Sequence, residues 1–188
     1  MDHKVELRAA AEDEAAEIAA LLARSWRENY AELLGGYRTE RLVAEYCRVG
    51  RISAEIGAAG AGDGWLGWLV ARSGGELAGA AAGGITTIGS GEIYTLCTAA
   101  AHGRRGIATA LIGAATEQQR ARGATEQWVG LYGPEDPTFG FFTKHGFTPV
   151  QPAESTAGRS AARPAERSAD PAEYKDGAPA LVRIRRAV

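Results

Sequence analysis

The sequence predicts a mixed α/β domain built around one central sheet. Three observations carry this: helix-period apolar spacing in the first third, strand-like segments in the middle, and strand–helix–strand order late in the chain. At 188 residues the chain is long enough for a single domain with a full hydrophobic core.

The segment "KVELRAA" alternates as a short strand should, and "EDEAAEIAALLARSWRENYAELL" then places Ala15, Ile18, Leu22, Trp26 and Tyr30 near one helical face. Gly35-Gly36 ends that helix. A second helical pattern over residues 39–56 carries Leu42, Val43, Tyr46, Ile52 and Ile56, with Gly50 as its expected interruption. "GAAGAGDG" follows as a flexible connection. The period then changes: "WLGWLVARSGGELAGAAAGGI" reads as two extended segments around the hairpin turn Ser73-Gly74-Gly75-Glu76. "GEIYTLCTA" is a third strand, and a helix with Ile107, Leu111, Ala114 and Ala115 on one stripe closes at Arg122-Gly123. "EQWVGLY" is a strand, "PTFGFFTKHG" a short helix and "FTPV" a strand. Residues 151–180 contain no Ile, Leu, Val, Met, Phe or Trp and hold four of the seven prolines. Such a stretch cannot bury enough apolar surface to offset its ordering entropy, so residues 151–177 are expected to be a low-complexity, disordered loop. "ALVRIRRAV" alternates again, and residues 178–188 are expected to return as the last strand of the domain formed by residues 1–150.

Charge excludes several function classes. With 21 basic and 23 acidic residues the net charge is −2, which offers neither a nucleic-acid footprint nor a polybasic membrane patch. No apolar run approaches the ~20 residues needed to cross a bilayer. The opening is acidic and lacks the basic-then-apolar pattern of a secretory signal, and only Cys47 and Cys97 occur. A cytoplasmic, reducing setting is the expectation. His3, His102 and His145 show no metal-ligand spacing, so no metal is expected.

The stretch "HGRRGIATAL" follows a strand and opens a helix. A helix N-terminus leaves backbone N–H groups without partners at the positive end of the macrodipole, so it can hold an anion. Gly106 lets the main chain approach a ligand closely, and Ala108, Thr109 and Ala110 keep the first turn free of bulk. A pyrophosphate fits this arrangement. The pattern is neither G-x-x-x-x-G-K-[ST] nor G-x-G-x-x-G, which argues against a nucleotide triphosphatase or a nicotinamide enzyme.

"GEIYTLCTAAAHGRRGIATALI" followed by "WVGLYGPEDPTFGFFTKHGFTPV" resembles the GNAT superfamily of N-acetyltransferases, whose loop reads Q/R-x-x-G-x-G/A and whose later segment often reads F-Y-E-K-x-G-F. The likeness is specific over residues 91–150. It implies a single GNAT-like domain whose central sheet is mixed and mostly antiparallel, flanked by helices. It also implies acetyl-CoA as co-substrate. Gly106 and Ala108 match the loop's G-x-G/A, while Gly103 stands where the family has Gln or Arg. The backbone of Arg104, Arg105, Gly106, Ile107, Ala108 and Thr109 is expected on the pyrophosphate. The pantetheine arm is expected along Leu96, Cys97 and Thr98, where an extended amide chain can exchange hydrogen bonds with an open strand edge.

The chemistry implied is attack of an amine on a thioester, which requires removing a proton from an alkylammonium whose pKa lies near ~10. Glu92, at the start of the strand before the loop, is the first candidate base, with Tyr94 on the same strand face. A family tyrosine that serves the leaving thiolate is replaced by Phe142, which is expected to line the cofactor. Tyr132, water or unaided departure of a thiolate with pKa near ~8.5 are the alternatives. Cys97 has no His/Asp pairing legible beside it and is expected not to form an acyl-enzyme. Trp26 and Tyr30, with Tyr37, lie where the family borders the acceptor. The expected reaction is transfer of acetyl from acetyl-CoA to a primary amine, on a small molecule or a protein or peptide, in a ternary complex. A degenerate acyl-CoA-binding module without turnover, motivated by Phe142, is the first alternative, and a purely structural or protein-interaction domain is the second. Acceptor identity and oligomeric state stay open, a homodimer included.

Overall fold

The computed structural model describes residues 5–62, 64–150 and 181–188. Strand β1 (Val5–Ala9) leads through a 3-10 turn to helix α1 (Ala15–Leu34), which buries Ala15, Ile18, Ala19, Leu21 and Leu22 and stops at Gly35, whose φ of 79° is open to glycine. Helix α2 (Gly36–Tyr46) starts at once, and α3 (Val49–Gly57) follows a break at Cys47 and Arg48. The expected single helical pattern over residues 39–56 is thus divided, and not at Gly50, which lies inside α3. The reason is angular: at 3.6 residues per turn Val43 and Ile52 would point to opposite sides of one straight helix, yet both are buried. Extended backbone at Arg48 (ψ 133°) turns the second helix so that Ile52 and Ile56 join the core beneath α1.

Strands β2 (Trp65–Ser73) and β3 (Glu76–Thr87) form the expected hairpin, with Gly74 and Gly75 at φ 61° and 86°, the left-handed pair that a two-residue turn demands. Strand β4 (Ser90–Thr98) returns beside β3, helix α4 (Ile107–Arg120) crosses over, and β5 (Glu126–Leu131) pairs parallel to β4. Helix α5 (Phe139–Lys144) precedes the short β6 (Thr148–Pro149), and β7 (Val182–Ala187) inserts between β5 and β6. The seven-stranded sheet runs β1-β2-β3-β4-β5-β7-β6, with β4–β5 its parallel pair. This is the mixed, mostly antiparallel sheet flanked by helices that the sequence predicts. The loop expected at residues 151–177 lies outside the described residues.

Apolar groups fill both faces. On one side Ile18, Leu22 and Ile52 pack against Trp68 and Val70; on the other Ile107 and Leu111 of α4 pack against Leu69, Ala71 and Ala81. A third cluster joins Ile112, Val129, Phe142, Phe147 and Ile184. Each Val, Leu, Ile or Phe among them contributes about 1.5–3 kcal/mol on burial. The alanines of β3 are small enough for helices to approach it from both sides, and Ala80, Ala81 and Ala82 are all buried.

Two departures from regularity shape the region next to α4. In the β3–β4 ladder Ala82 is opposite Thr95 while Gly83 is opposite Ile93, so Tyr94 is the extra residue of a bulge. In the parallel ladder, β4 and β5 pair only from Ser90↔Glu126 to Ile93↔Val129.

Candidate active site

Beyond Ile93 the β4–β5 pairing stops: β5 stays paired with β7 along its whole length, while β4 runs on to Thr98. The β5-facing edge of residues 94–98 therefore has no strand partner among the described residues. Backbone N–H and C=O groups seek partners, and an edge of this kind can take an extended amide chain. The side chains nearby are committed to the interior: Cys97 packs beneath α1 with its Sγ 3.7 Å from the Ala80 carbonyl, and Leu96 packs toward α4. With Leu96 and Cys97 packed into the two faces of the sheet, what they turn to the unpaired edge is main chain. Burial pushes the Cys97 thiol up to about 12, so it stays protonated.

The edge leads into the loop before α4. Arg104 has φ 60°, the one left-handed non-glycine among the described residues, and Gly106 follows at φ 74° as the N-cap of α4, with no side chain capping the helix. A Cβ at Gly106 would meet nothing within 4 Å, so glycine is required there by the backbone angle and not by crowding from the protein. Arg104, Arg105, Gly106 and Thr109 are exposed and Ile107 is anchored in the core. Successive N–H groups around left-handed residues at a helix start form a concave anion site. Arg105 Nη1 donates to His102 Nδ1 at 3.3 Å, which leaves His102 Nε2–H for Glu76, 3.4 Å away. The Thr109 hydroxyl lies 3.2 Å from His145 Nε2, and His145 Nδ1 donates to the Phe141 carbonyl at 2.8 Å, tying the first turn of α4 to α5.

Glu92 lies before the bulge, opposite Gly84 on one side and Trp128 on the other. Its carboxylate accepts from Arg183 Nη2 at 2.9 Å, and both side chains are about 15% exposed. Arg183 crosses the Trp128 ring at 4.6 Å to reach it; Gly130, opposite Arg183 in β7, puts no side chain in the way. Arg185 lies over the same ring at 5.4 Å and pairs with Glu126 at 3.1 Å. Burial pushes the Glu126 carboxyl up, but hydrogen bonds from Ser90, Trp128 and Arg185 outweigh it and hold the group below the usual carboxylate range. Tyr94 leans back over Gly84 and stacks on Trp65 with ring centroids 6.0 Å apart, on the face that also carries Glu92.

Helix α1 carries the two aromatic candidates. Trp26 and Tyr30 contact each other at 4.7 Å, and Tyr30 meets Tyr132 edge-on at 5.9 Å. The Tyr30 hydroxyl donates to Asp136 Oδ1 at 3.3 Å; Asp136 also accepts from the Tyr132 and Thr138 N–H groups and the Thr138 hydroxyl. Burial, then the Asp136 charge, pushes the Tyr30 phenol well above its ordinary value. Tyr37 is 82% exposed and stands apart from this group. Phe142, expected beside the cofactor, has its ring in the interior against Phe141 and Phe147, 2% exposed.

The structure thus places Glu92 and Tyr94 on β4, whose edge precedes the loop at the start of α4, and groups Trp26 and Tyr30 of α1 with Tyr132 and Asp136. Sequence reasoning missed Arg183, Trp65 and Asp136. Asp136 had a local signal, an Asp before Pro-Thr of the kind that organises turns; Arg183 had none, because its partner is 91 positions away. Among the described residues no helix is long and apolar enough to cross a membrane.

The family model for the acetyltransferase (GNAT) family matches residues 16–147. No curated protein matches the chain in sequence. Among solved structures, the chain is similar to the PaiA N-acetyltransferase from Thermoplasma acidophilum in complex with coenzyme A, at TM-score 0.76 and 16% identity, over 98% of this chain and 99% of that one. It is similar to Rv2747 from Mycobacterium tuberculosis in complex with CoA and NLQ, at TM-score 0.66 and 19% identity, over 97% and 99% of the two chains. It is also similar to an acetyltransferase of the GNAT family from Streptococcus pneumoniae, at TM-score 0.66 and 16% identity, over 98% and 99%. At these identities the likeness is one of fold.

Proposed function

The chain belongs to the acetyltransferase (GNAT) family, and from that premise we propose that it moves an acetyl group from acetyl-CoA to a primary amine by direct attack in a ternary complex. The observation that carries this reading is the stretch of β4 edge left unpaired beyond Ile93, followed after a 3-10 turn at Ala100–His102 by the left-handed Gly106 and the uncapped start of α4. These residues fit coenzyme A: the strand edge offers alternating donors and acceptors to an amide chain, and the loop offers N–H groups and two arginines to a diphosphate. When bound, acetyl-CoA supplies the thioester to be attacked.

The remaining steps belong to the chain's own residues. Glu92 takes a proton from the incoming ammonium, directly or through one water, and Arg183 holds its carboxylate in place. Tyr94 and Trp65 border the amine beside it. Main-chain N–H groups near Leu96 and Cys97 hydrogen-bond the acetyl oxygen. Trp26 and Tyr30 form the acceptor wall on α1. Phe142 has no proton to give and is buried, so Tyr132, just past the end of β5, or water serves the leaving sulfur, or the thiolate departs unaided.

Incubation with labelled acetyl-CoA and a panel of small amines, amino acids and peptides tests the proposal, with label expected on an amine. CoA that raises the melting temperature without any labelled product would replace it with the binding-module reading. CoA without effect on melting would overturn both.

A further inference from the structure

Behind the candidate base lies a buried chain of polar side chains with a defined direction. Arg186 Nε and Nη2 donate to Gln127 Oε1 at 3.0 and 2.9 Å. Gln127 Nε2 donates to Gln119 Oε1 at 2.7 Å. Gln119 Nε2 in turn donates to the main-chain carbonyls of Glu92, at 2.9 Å, and Gly84, at 3.3 Å. Gln127 is fully buried and Gln119 is 1% exposed. The polarity follows from the ends: a guanidinium can only donate and a backbone carbonyl can only accept, so each carboxamide between them has one permitted orientation.

The end of this chain falls on the bulge. Glu92 and Gly84 are opposite one another just before the register shift at Tyr94, where the ladder is irregular and carbonyls need partners from elsewhere. Both strands make room for the glutamine. A Cβ at Gly91 would strike the Gln119 carboxamide, and one at Gly83 would come within 3.0 Å of Gln119 Nε2.

We infer that Gln119 is a positioning residue for the proposed reaction: by clamping the Glu92 and Gly84 carbonyls from the α4 side of the sheet, it holds the bulge that aims the Glu92 carboxylate at Arg183 and the acceptor on the opposite side. The inference rests on the reading of Glu92 as the base, and Gln119 itself touches no substrate.

The test compares Gln119→Met, Gln127→Glu and Glu92→Gln, measuring kcat, KM for each substrate, CoA dissociation constant, melting temperature, and the crystal structure of Gln119→Met. Gln119→Met keeps the volume and loses both donors. Gln127→Glu strengthens the contact with Arg186 but cannot donate to Gln119 Oε1, so the Gln119 amide turns and faces the two carbonyls with its oxygen. Both are expected to lower kcat ~10–100-fold, as a displacement of about 1 Å does, while CoA affinity stays within about twofold. In the Gln119→Met structure the Glu92–Arg183 contact is expected to open. Unchanged kcat in either folded variant, or a parallel loss of kcat and CoA affinity, would overturn the inference while leaving the base intact if Glu92→Gln is inactive. Full turnover in Glu92→Gln would instead remove the base reading, and the position of Glu92 in the Gln119→Met structure then decides the role of Gln119 by itself. A contact still at 2.9 Å there refutes it.

Discussion

Glu92 lies on a strand that the alternation of "GEIYTLCTA" makes easy to recognise, but its carboxylate is held by a guanidinium from the last strand. Glu92→Gln removes the proposed proton acceptor and keeps the size, so kcat should fall by about 10²-fold or more with CoA affinity unchanged, checked by steady-state kinetics and CoA titration. Cys97 is a second test at this scale. With its thiol pushed up to about 12 by burial, it should resist alkylation at pH 8 until the protein unfolds, while half-buried Cys47 is labelled first. Cys97→Ala should keep turnover, and a trapped acetyl-cysteine in the parent protein would refute direct attack.

Secondary-structure elements meet through a few groups whose effects are larger than their size. Gly106 joins the loop to α4 with a left-handed φ of 74°. Gly106→Val forces a β-branched residue into that angle at a cost of about 1–2 kcal/mol, and CoA affinity should fall about tenfold or more, read as loss of thermal stabilisation by CoA. Glu14 joins β1, α1 and β2. Its carboxylate takes hydrogen bonds from Arg8 at 2.6 Å, Arg72 at 2.7 Å and the Ala11 N–H at 2.9 Å. Arg8 foremost, against the opposing effect of burial, holds its pKa at about 2, compared with 4.5 unperturbed. A carboxyl depressed in the folded state stabilises it above the unfolded pKa and stops doing so as pH falls through the folded one. The difference in melting temperature between the parent and Glu14→Gln should therefore be full above pH 4.5 and vanish toward pH 2.

Across the whole molecule, the last strand completes the sheet. β7 lies between β5 and β6 and carries Arg183 to Glu92, Arg186 to Gln127 and Ile184 to the core. Removal of residues 181–188 should cost cooperative unfolding as well as activity, seen as a lost or broadened thermal transition by circular dichroism. The amino-acid sequence alone determined the order of helices and strands, the glycine hairpin, and the loop at the start of α4, since these depend on residue periodicity and on backbone angles open to glycine over a few neighbouring positions. Tertiary structure decided the rest: the break between α2 and α3, the parting of β4 from β5 after Ile93, the pairing of Tyr30 with Asp136, and the meeting of Glu92 with Arg183. Alternation along a strand says which side chains share a face, but not which strand lies beside it or where the pairing stops. Those follow from packing the whole chain around one core, which brings together residues 91 and 106 positions apart.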